Sequence, residues 1–454
     1  MFNNKKGTLN KNIKKRKTST HKASTHKKTT AKTRESKLHD IIILGGGIAG
    51  IYTAYQLTKQ FPHLSILLLE QTKLLGGRVH TIYHKEDMFE AGAGRFSDTH
   101  THLLELITEL GLDKYKTQIG SDSSYYPINH VSPKYSLEML ILNVVARSKF
   151  QTRSYLQNIS FVDYAKTILS DEEVHFIKDS FGYYSELVIM NAYDAIQLIQ
   201  KLGPTNTFYV LTNGLSQILN QMVSAVKKRT THNMFYTNQT VTRIQEIKSN
   251  DDTRYKIHTQ NKEYTTRIII SALPKQALEK IQYFKPIYPV LKQIKCAPLC
   301  RIYCKFETPA WFVNIPKIRT NNNLRMIIPW NTEKGTIMIS YTDNKYADYW
   351  NEMYKTKGMN AVNSNIRKLV QETTNQIIPE KFETYIYYWK CGVGYWGIGA
   401  NSQEISQKMI QPFPNKLLFC CGEHFSENNQ QWMEGALETS IQVISKIQSL
   451  EILS

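Results

Sequence analysis

At 454 residues, with 41% hydrophobic and 11% aromatic side chains, the chain can bury a large core and hold two or three domains. No apolar run approaches the roughly 18 residues of a membrane span, and the N-terminus lacks the apolar stretch of a secretory signal, so neither class fits. The formal charge of +19 suits either an acidic partner or plain solubilisation for part of the chain.

That charge is uneven. Residues 1–37 carry 13 Lys/Arg against the single acid Glu35, a net of +12, while the remaining residues contribute only +7. The segment is rich in Thr, Ser, Asn and Lys, includes Lys14-Lys15-Arg16-Lys17 and has few apolar residues, so it reads as a disordered basic tail. A nuclear address, a nucleic-acid arm, a tether to an acidic surface and a plain solubilising extension all suit this composition.

The run His39–Gly50, HDIIILGGGIAG, follows. Ile41–Leu44 read as a buried strand, and Gly45, Gly47 and Gly50 occupy the glycine positions of G-x-G-x-x-G. These provide a tight turn, close approach to a pyrophosphate, and close packing of the next helix. The helix starting at Ile48-Ala49 aims its amides at the phosphates. A second strand, Ser65–Leu69, ends at Glu70, 20 residues past Gly50, where a carboxylate can accept both hydrogen bonds of an adenosine ribose. Gln71 stands beside it.

Gly76-Gly77-Arg78 and the segment Glu90-Ala-Gly-Ala-Gly-Arg-Phe96 come next. Here the chain resembles the FAD-dependent amine oxidases, which include monoamine, polyamine and L-amino-acid oxidases. The resemblance implies an α/β fold: a Rossmann-like FAD-binding domain, discontinuous in sequence, with a mixed α+β substrate domain. It also implies that Gly77-Arg78 reaches the FAD pyrophosphate and that Gly92, Ala93, Gly94 and Arg95 lie along the flavin.

The blocks that follow are a helical substrate and lid region over 97–230, a second FAD-binding block over 231–284, and a substrate sheet over 285–384. A third FAD-binding block occupies 385–454, the first one being 38–96. Within 231–284 a β-meander ends in Ser271-Ala-Leu-Pro274, and Val241 and Ala272 match the family's cofactor contacts. The closing stretch KLLFCCGEHFSENNQQWMEGALETS matches the family's last motif. Gly422 and Glu423 would hold the ribityl chain. Trp432, Met433, Glu434, Gly435 and Ala436 would set a helix N-terminus by the flavin O2, favouring its anionic reduced form.

The run from Gly92 to Leu112 is most similar to L-amino-acid oxidases, whose arginine at the position of Arg95 clamps the substrate carboxylate. Flavin phosphates or a structural acid are the other partners open to Arg95. Trp432 fills an aromatic-cage position, with Tyr395, Trp396 and Tyr341 as candidates for the second ring. Arg301, ten residues before Trp311 in Thr308-Pro-Ala-Trp311, stands where the family commonly has a lysine linked through water to flavin N5. Arg95, Arg301 and Trp432 are therefore the expected catalytic set. His100 and His130 are general-base candidates with an equally open structural role. The implied reaction converts an amino acid to an imine, and then to keto acid and ammonia, with O2 reduced to H2O2.

Cys391 lies too early in its block for the covalent flavin link of some monoamine oxidases, so non-covalent FAD is expected. Cys296, Cys300 and Cys304 fall on one strand face and read as core cysteines. With no fourth ligand at metal spacing, no metal site is expected. Six cysteines confined to the last third do not form a disulfide framework, which suggests a reducing intracellular setting, cytoplasmic or nuclear, or a virion if the chain is viral. The alternatives are a polyamine or monoamine oxidase, a desaturase or protoporphyrinogen-oxidase-like enzyme, and a non-catalytic FAD protein with a nucleic-acid-binding tail.

Overall fold

The apolar runs Ile41–Leu44 and Ile66–Leu69 sit side by side at the centre of a sheet. Strand Leu38–Leu44 pairs in parallel with Ile66–Leu69 on one edge and with Glu263–Ser271 on the other. Continuous apolar runs suit parallel strands covered on both faces. Ile41, Ile43, Ile66 and Leu68 point to one buried cluster, and Ile42, Leu44, Leu67 and Leu69 to the other. Helices Ile48–Gln60, Ser216–Arg229 and Met433–Ser449 pack on the first face.

The structure, a computed structural model, describes residues 37–450 except 121–122, 202–205, 231–233, 250–251 and 308–310. All of the basic tail but Lys37, and Thr308, Pro309 and Ala310 of the motif used to place Arg301, lie outside the described residues.

Strand Glu263–Ser271 joins distant parts of the chain. Its first half pairs antiparallel with Asp252–Thr259, which pairs with Val241–Ser249 to make the expected meander. Its last residues pair in parallel with Leu418–Cys420. Three stretches far apart in sequence thus build one dinucleotide-type sheet.

A six-stranded sheet stands apart from it, in the order Glu383–Trp396, Ile294–Lys305, Thr336–Asp343, Met326–Asn331, Ile318–Arg319, Ser124–Tyr125. The expected block boundary at 384 falls inside strand Glu383–Trp396, which belongs to this sheet throughout. The region 97–230 is largely helical, but it also contains the strands Lys116–Ile119 and Phe208–Leu211. The second of these pairs with Phe96–Ser97 and brings Phe208 beside Arg95.

The cysteine expectation needs correction. Cys300 and Cys304 are core residues, packed in a cluster with Trp350. Cys296 is half-buried outside that cluster and is disulfide-bonded to Cys391. Between them Ala297 pairs with Val393 but Leu299 with Trp389, so two extra residues loop out of the partner strand opposite Pro298. Proline cannot donate to the ladder, and the resulting bulge carries Cys391 onto Cys296. Among the described residues, no helix is long and apolar enough to cross a membrane.

Candidate functional site

One cavity of about 1410 Å³ runs from the first glycine turn to the substrate sheet. That exceeds the roughly 300–1,000 Å³ of most small-molecule pockets and leaves room for a dinucleotide and a substrate. Gly45, Gly47, Ile48 and Ala49 line one end. Gly45 has φ +102°, a left-handed conformation that favours glycine. Gly47 caps helix Ile48–Gln60 without a side-chain acceptor, which leaves the first amides free for phosphate.

Gly50 does not line the cavity. A Cβ there would lie 2.0 Å from the Gly45 carbonyl oxygen, so its task is helix–strand packing. Glu70 is buried: Oε2 accepts from the Gly46 amide at 2.8 Å, and Oε1 from the Thr72 amide and hydroxyl, both at 2.8 Å. A carboxylate offers about four acceptor positions, so one remains for a ribose hydroxyl. Gln71, Val241, Ala272 and Gly77 share this end.

Midway along, Arg78 forms an ion pair with Glu423, donates to the Gly392 carbonyl at 3.1 Å and lies 3.3 Å from His424 Nε2. Burial alone would raise the Glu423 pKa, but His424 and Arg78 overcome it and hold the carboxyl well below its usual range. The Gly422 amide donates to Thr439 Oγ1 at 2.9 Å, anchoring this turn to helix Met433–Ser449. Trp432 caps that helix without a side-chain hydrogen bond, so its first amides face the cavity beside Met433 and Ala436. Glu434 turns the other way and accepts from the His102 and Leu103 amides, at 3.0 and 2.9 Å.

The far end holds the expected catalytic set. Gly92, Ala93, Gly94, Arg95, Arg301 and Trp432 all line the cavity. The Arg95 guanidinium stacks 4.2 Å from Phe208 and 5.9 Å from Trp432, and Nη2 donates to the Tyr183 hydroxyl at 3.1 Å. Among the described residues no carboxylate ion-pairs with it.

Arg301 is buried, donates from Nη1 to the Glu90 carbonyl at 2.8 Å, and lies 4.7 Å from the Tyr341 ring. A Cβ at position 94 would come within 2.6 Å of Arg301 Nη1, so Gly94 makes space for the guanidinium. Burial pulls the Arg301 pKa down, yet Tyr341, Tyr303 and Glu90 raise it on balance, and the group stays charged.

Of the second-ring candidates, Tyr341 and Tyr395 line the cavity. Trp396 is instead core, its Nε1 donating to the Glu427 carbonyl at 3.2 Å. His100 lies outside the lining. Its Nδ1 accepts from the Ser97 amide at 3.1 Å and its ring packs 4.7 Å from Trp432. Burial, reinforced by Lys201, pushes its pKa down to about 3, so it acts as packing. His130 is exposed and away from the cavity.

The structure adds residues that no motif marked. Glu186 lines the cavity, is 6% exposed, and has no hydrogen-bond partner among the described residues. Burial, and then the neighbouring Asp343 charge, raise its pKa to about 8. Asp343 caps the helix Tyr184–Val188 that carries Glu186, accepting from the Tyr184 and Ser185 amides at 3.0 and 2.7 Å. Burial also raises Glu90 to about 7 and the Tyr183 hydroxyl to about 12. Glu90 opens the glycine segment already singled out in the sequence, whereas Tyr183, Glu186 and Asp343 lie in segments without a spacing signal and are placed only by tertiary pairing.

The residues present fit FAD. A glycine cradle, open helix N-termini at both ends of the dinucleotide path, an acidic ribose acceptor, and the unpartnered Arg301 Nε and Trp432 Nε1 all converge on the cavity.

The sequence profile described as flavin containing amine oxidoreductase matches residues 48–139 and 144–443. A probable flavin-containing monoamine oxidase A of Dictyostelium discoideum is 31% identical over 119 residues, 24% of this chain and 26% of that protein. The Bos taurus flavin-containing amine oxidase A is 29% identical over 91 residues, 20% and 17% of the two chains. The flavin-dependent L-tryptophan oxidase RebO of Lentzea aerocolonigenes is 35% identical over 94 residues, 19% and 20%. These alignments span about a quarter or less of each relative. A solved structure of putrescine oxidase bound to putrescine shares the fold, with a TM-score of 0.71 at 14% identity over 91% of this chain and 99% of that one. The chain belongs to the flavin-containing amine oxidoreductase family, and its cofactor is FAD.

Proposed function

We propose that the chain is an oxidase with non-covalent FAD that acts on an L-α-amino acid, yielding keto acid, ammonia and H2O2. The observation that carries this is Arg95, a guanidinium in the cavity wall, stacked on Phe208, with no ion pair to a carboxylate among the described residues and near enough to Glu186 to oppose the rise of its pKa. A planar fork of this kind matches a substrate carboxylate. Trp432, Tyr341 and Tyr395 would border the α-carbon, and Arg301, pinned to the Glu90 carbonyl, would hold a fixed positive charge beside it. The N-terminus of helix Met433–Ser449 would favour negative charge at its end of the cavity. When bound, FAD supplies the two-electron acceptor that takes a hydride from the amine carbon and returns to the oxidised form with O2.

A second reading, an amine carrying another ammonium group, is favoured by Glu186, a buried carboxyl facing the cavity with no hydrogen-bond partner among the described residues. The net +12 of residues 1–37 supports contact with nucleic acid or an acidic surface.

The test is peroxide production from L-amino acids, their decarboxylated amines, and polyamines, with the wild type and Arg95→Ala. Loss of a charge-assisted hydrogen-bond pair, about 1.5–3 kcal/mol, predicts a roughly 10–100-fold fall in kcat/KM for amino acids and little change for amines. Equal rates on an amino acid and its decarboxylated amine, insensitive to Arg95→Ala, would defeat the carboxylate clamp.

A further inference from the structure

We propose that Cys296 and Cys391 form a thiol-exchangeable cystine whose opening weakens FAD binding, with a low-molecular-weight thiol or dithiol as its reactant. The bond ties strand Ile294–Lys305 to the bulge in strand Glu383–Trp396, and Cys391 itself lines the FAD cavity. Gly392, the next residue in the bulge, accepts the hydrogen bond of Arg78 at 3.1 Å. The cross-link therefore fixes the loop that positions an arginine proposed to meet the pyrophosphate.

The surroundings favour exchange over a metal site. Cys296, Cys391 and His424 present their ligand atoms within 4.8 Å of one another, the arrangement of a three-ligand cation site. His424 Nδ1, however, accepts the Lys275 amide at 3.1 Å, so a proton lies on Nε2, which faces Glu423 at 3.0 Å and Cys391 Sγ at 4.0 Å. That nitrogen offers a donor and not a lone pair, so it does not ligate a cation as it stands, while the Arg78 guanidinium 3.3 Å away is paired with Glu423. A donor beside a guanidinium is instead the setting that stabilises a thiolate.

The chemistry balances with two thiols. A thiolate attacks Cys296 Sγ, the sulfur bond breaks, and Cys391 leaves as a thiolate beside His424 and Arg78. A second thiolate attacks the external sulfur of the mixed disulfide, releasing Cys296 as a thiol and the reactant as its disulfide. The opened state adds a negative charge on the phosphate path, draws Arg78 toward sulfur, and frees the bulge, and each of these effects disfavours a pyrophosphate.

The experiment equilibrates the purified FAD-loaded protein with graded ratios of reduced to oxidised dithiothreitol. Samples are alkylated for mass spectrometry, and FAD affinity is read in parallel from flavin fluorescence. Cys296 and Cys391 should titrate together while the buried Cys300, Cys304, Cys420 and Cys421 stay unlabelled. FAD should bind about tenfold more weakly to the reduced form, the scale of one charge-assisted hydrogen bond. Cys296→Ser should show the weaker affinity at every ratio, and the wild-type titration decides the matter if that variant fails to fold.

A bond that never opens in the folded protein would overturn the proposal. So would opening without a change in FAD affinity, or thiols isolated with stoichiometric zinc. The readouts are cysteine labelling and flavin affinity, so they are separate from any failure of the amino-acid-oxidase reading.

Discussion

Glu186 shows how a single buried residue leaves a signature in stability. Its pKa is raised from 4.5 to about 8 by burial and by Asp343, so between those values the folded state keeps a proton that the unfolded state releases. Stability therefore falls as pH rises from about 4.5 to about 8 and is level above that. Glu90, raised to about 7 by burial, acts in the same direction over a narrower window. Glu186→Gln mimics the protonated acid and removes its share. The substrate-free variant should melt at the same temperature as wild type near pH 4.5 and at a higher one at pH 8–9, where it is more stable by up to a few kcal/mol. Thermal melts across that range check this, and equal melting at pH 9 would mean that Glu186 is ionised and solvated in the folded protein.

At the level of elements, the first strand–turn–helix unit separates packing from binding. A Cβ at Gly50 meets the Gly45 carbonyl at 2.0 Å, whereas one at Gly47 meets nothing within 4 Å and points to the ligand path. Gly50→Ala should push helix Ile48–Gln60 off its strand, costing about 1–3 kcal/mol in urea unfolding of the apoprotein, and should lose FAD as well. Gly47→Ala should unfold like wild type and still bind FAD more weakly. Equal stability losses in the two variants would contradict the division.

This unit was legible in the sequence because its signal is local, with three glycines, an apolar strand on each side and an acid at a fixed distance. The closing Gly422-Glu423 turn and the helix starting at Met433 were legible for the same reason. Phe208, Tyr183 and Glu186 were not. They sit on a four-residue strand, ahead of a five-residue helix and within that helix, and only the pairing of Phe208–Leu211 with Phe96–Ser97 and the Asp343 cap bring them to Arg95. The Cys296–Cys391 bond was hidden because a bulge, and not cysteine spacing, sets it.

Across the whole molecule, the cofactor is held by stretches from both ends of the chain: the Gly45 turn, the strand ending at Ser271, and the Gly422 turn all border one cavity or pack beside it. Ligand binding should therefore stabilise the fold as a unit. At FAD concentrations near 100 times Kd the gain is about 2.7 kcal/mol, seen as a melting temperature that rises with added FAD. Because Cys391 is committed to Cys296, acid precipitation should release all the flavin into the supernatant. Flavin retained in the pellet would mean a covalent link through another residue.

The most direct test of the central claim is anaerobic titration of the FAD-loaded protein, following the oxidised flavin band near roughly 450 nm. L-Amino acids should bleach the band, and Arg95→Ala should slow that bleaching roughly 10–100-fold at the same concentrations. Bleaching by polyamines or monoamines alone would contradict the carboxylate clamp, and a flavin that no amine reduces would contradict the assignment of an oxidase.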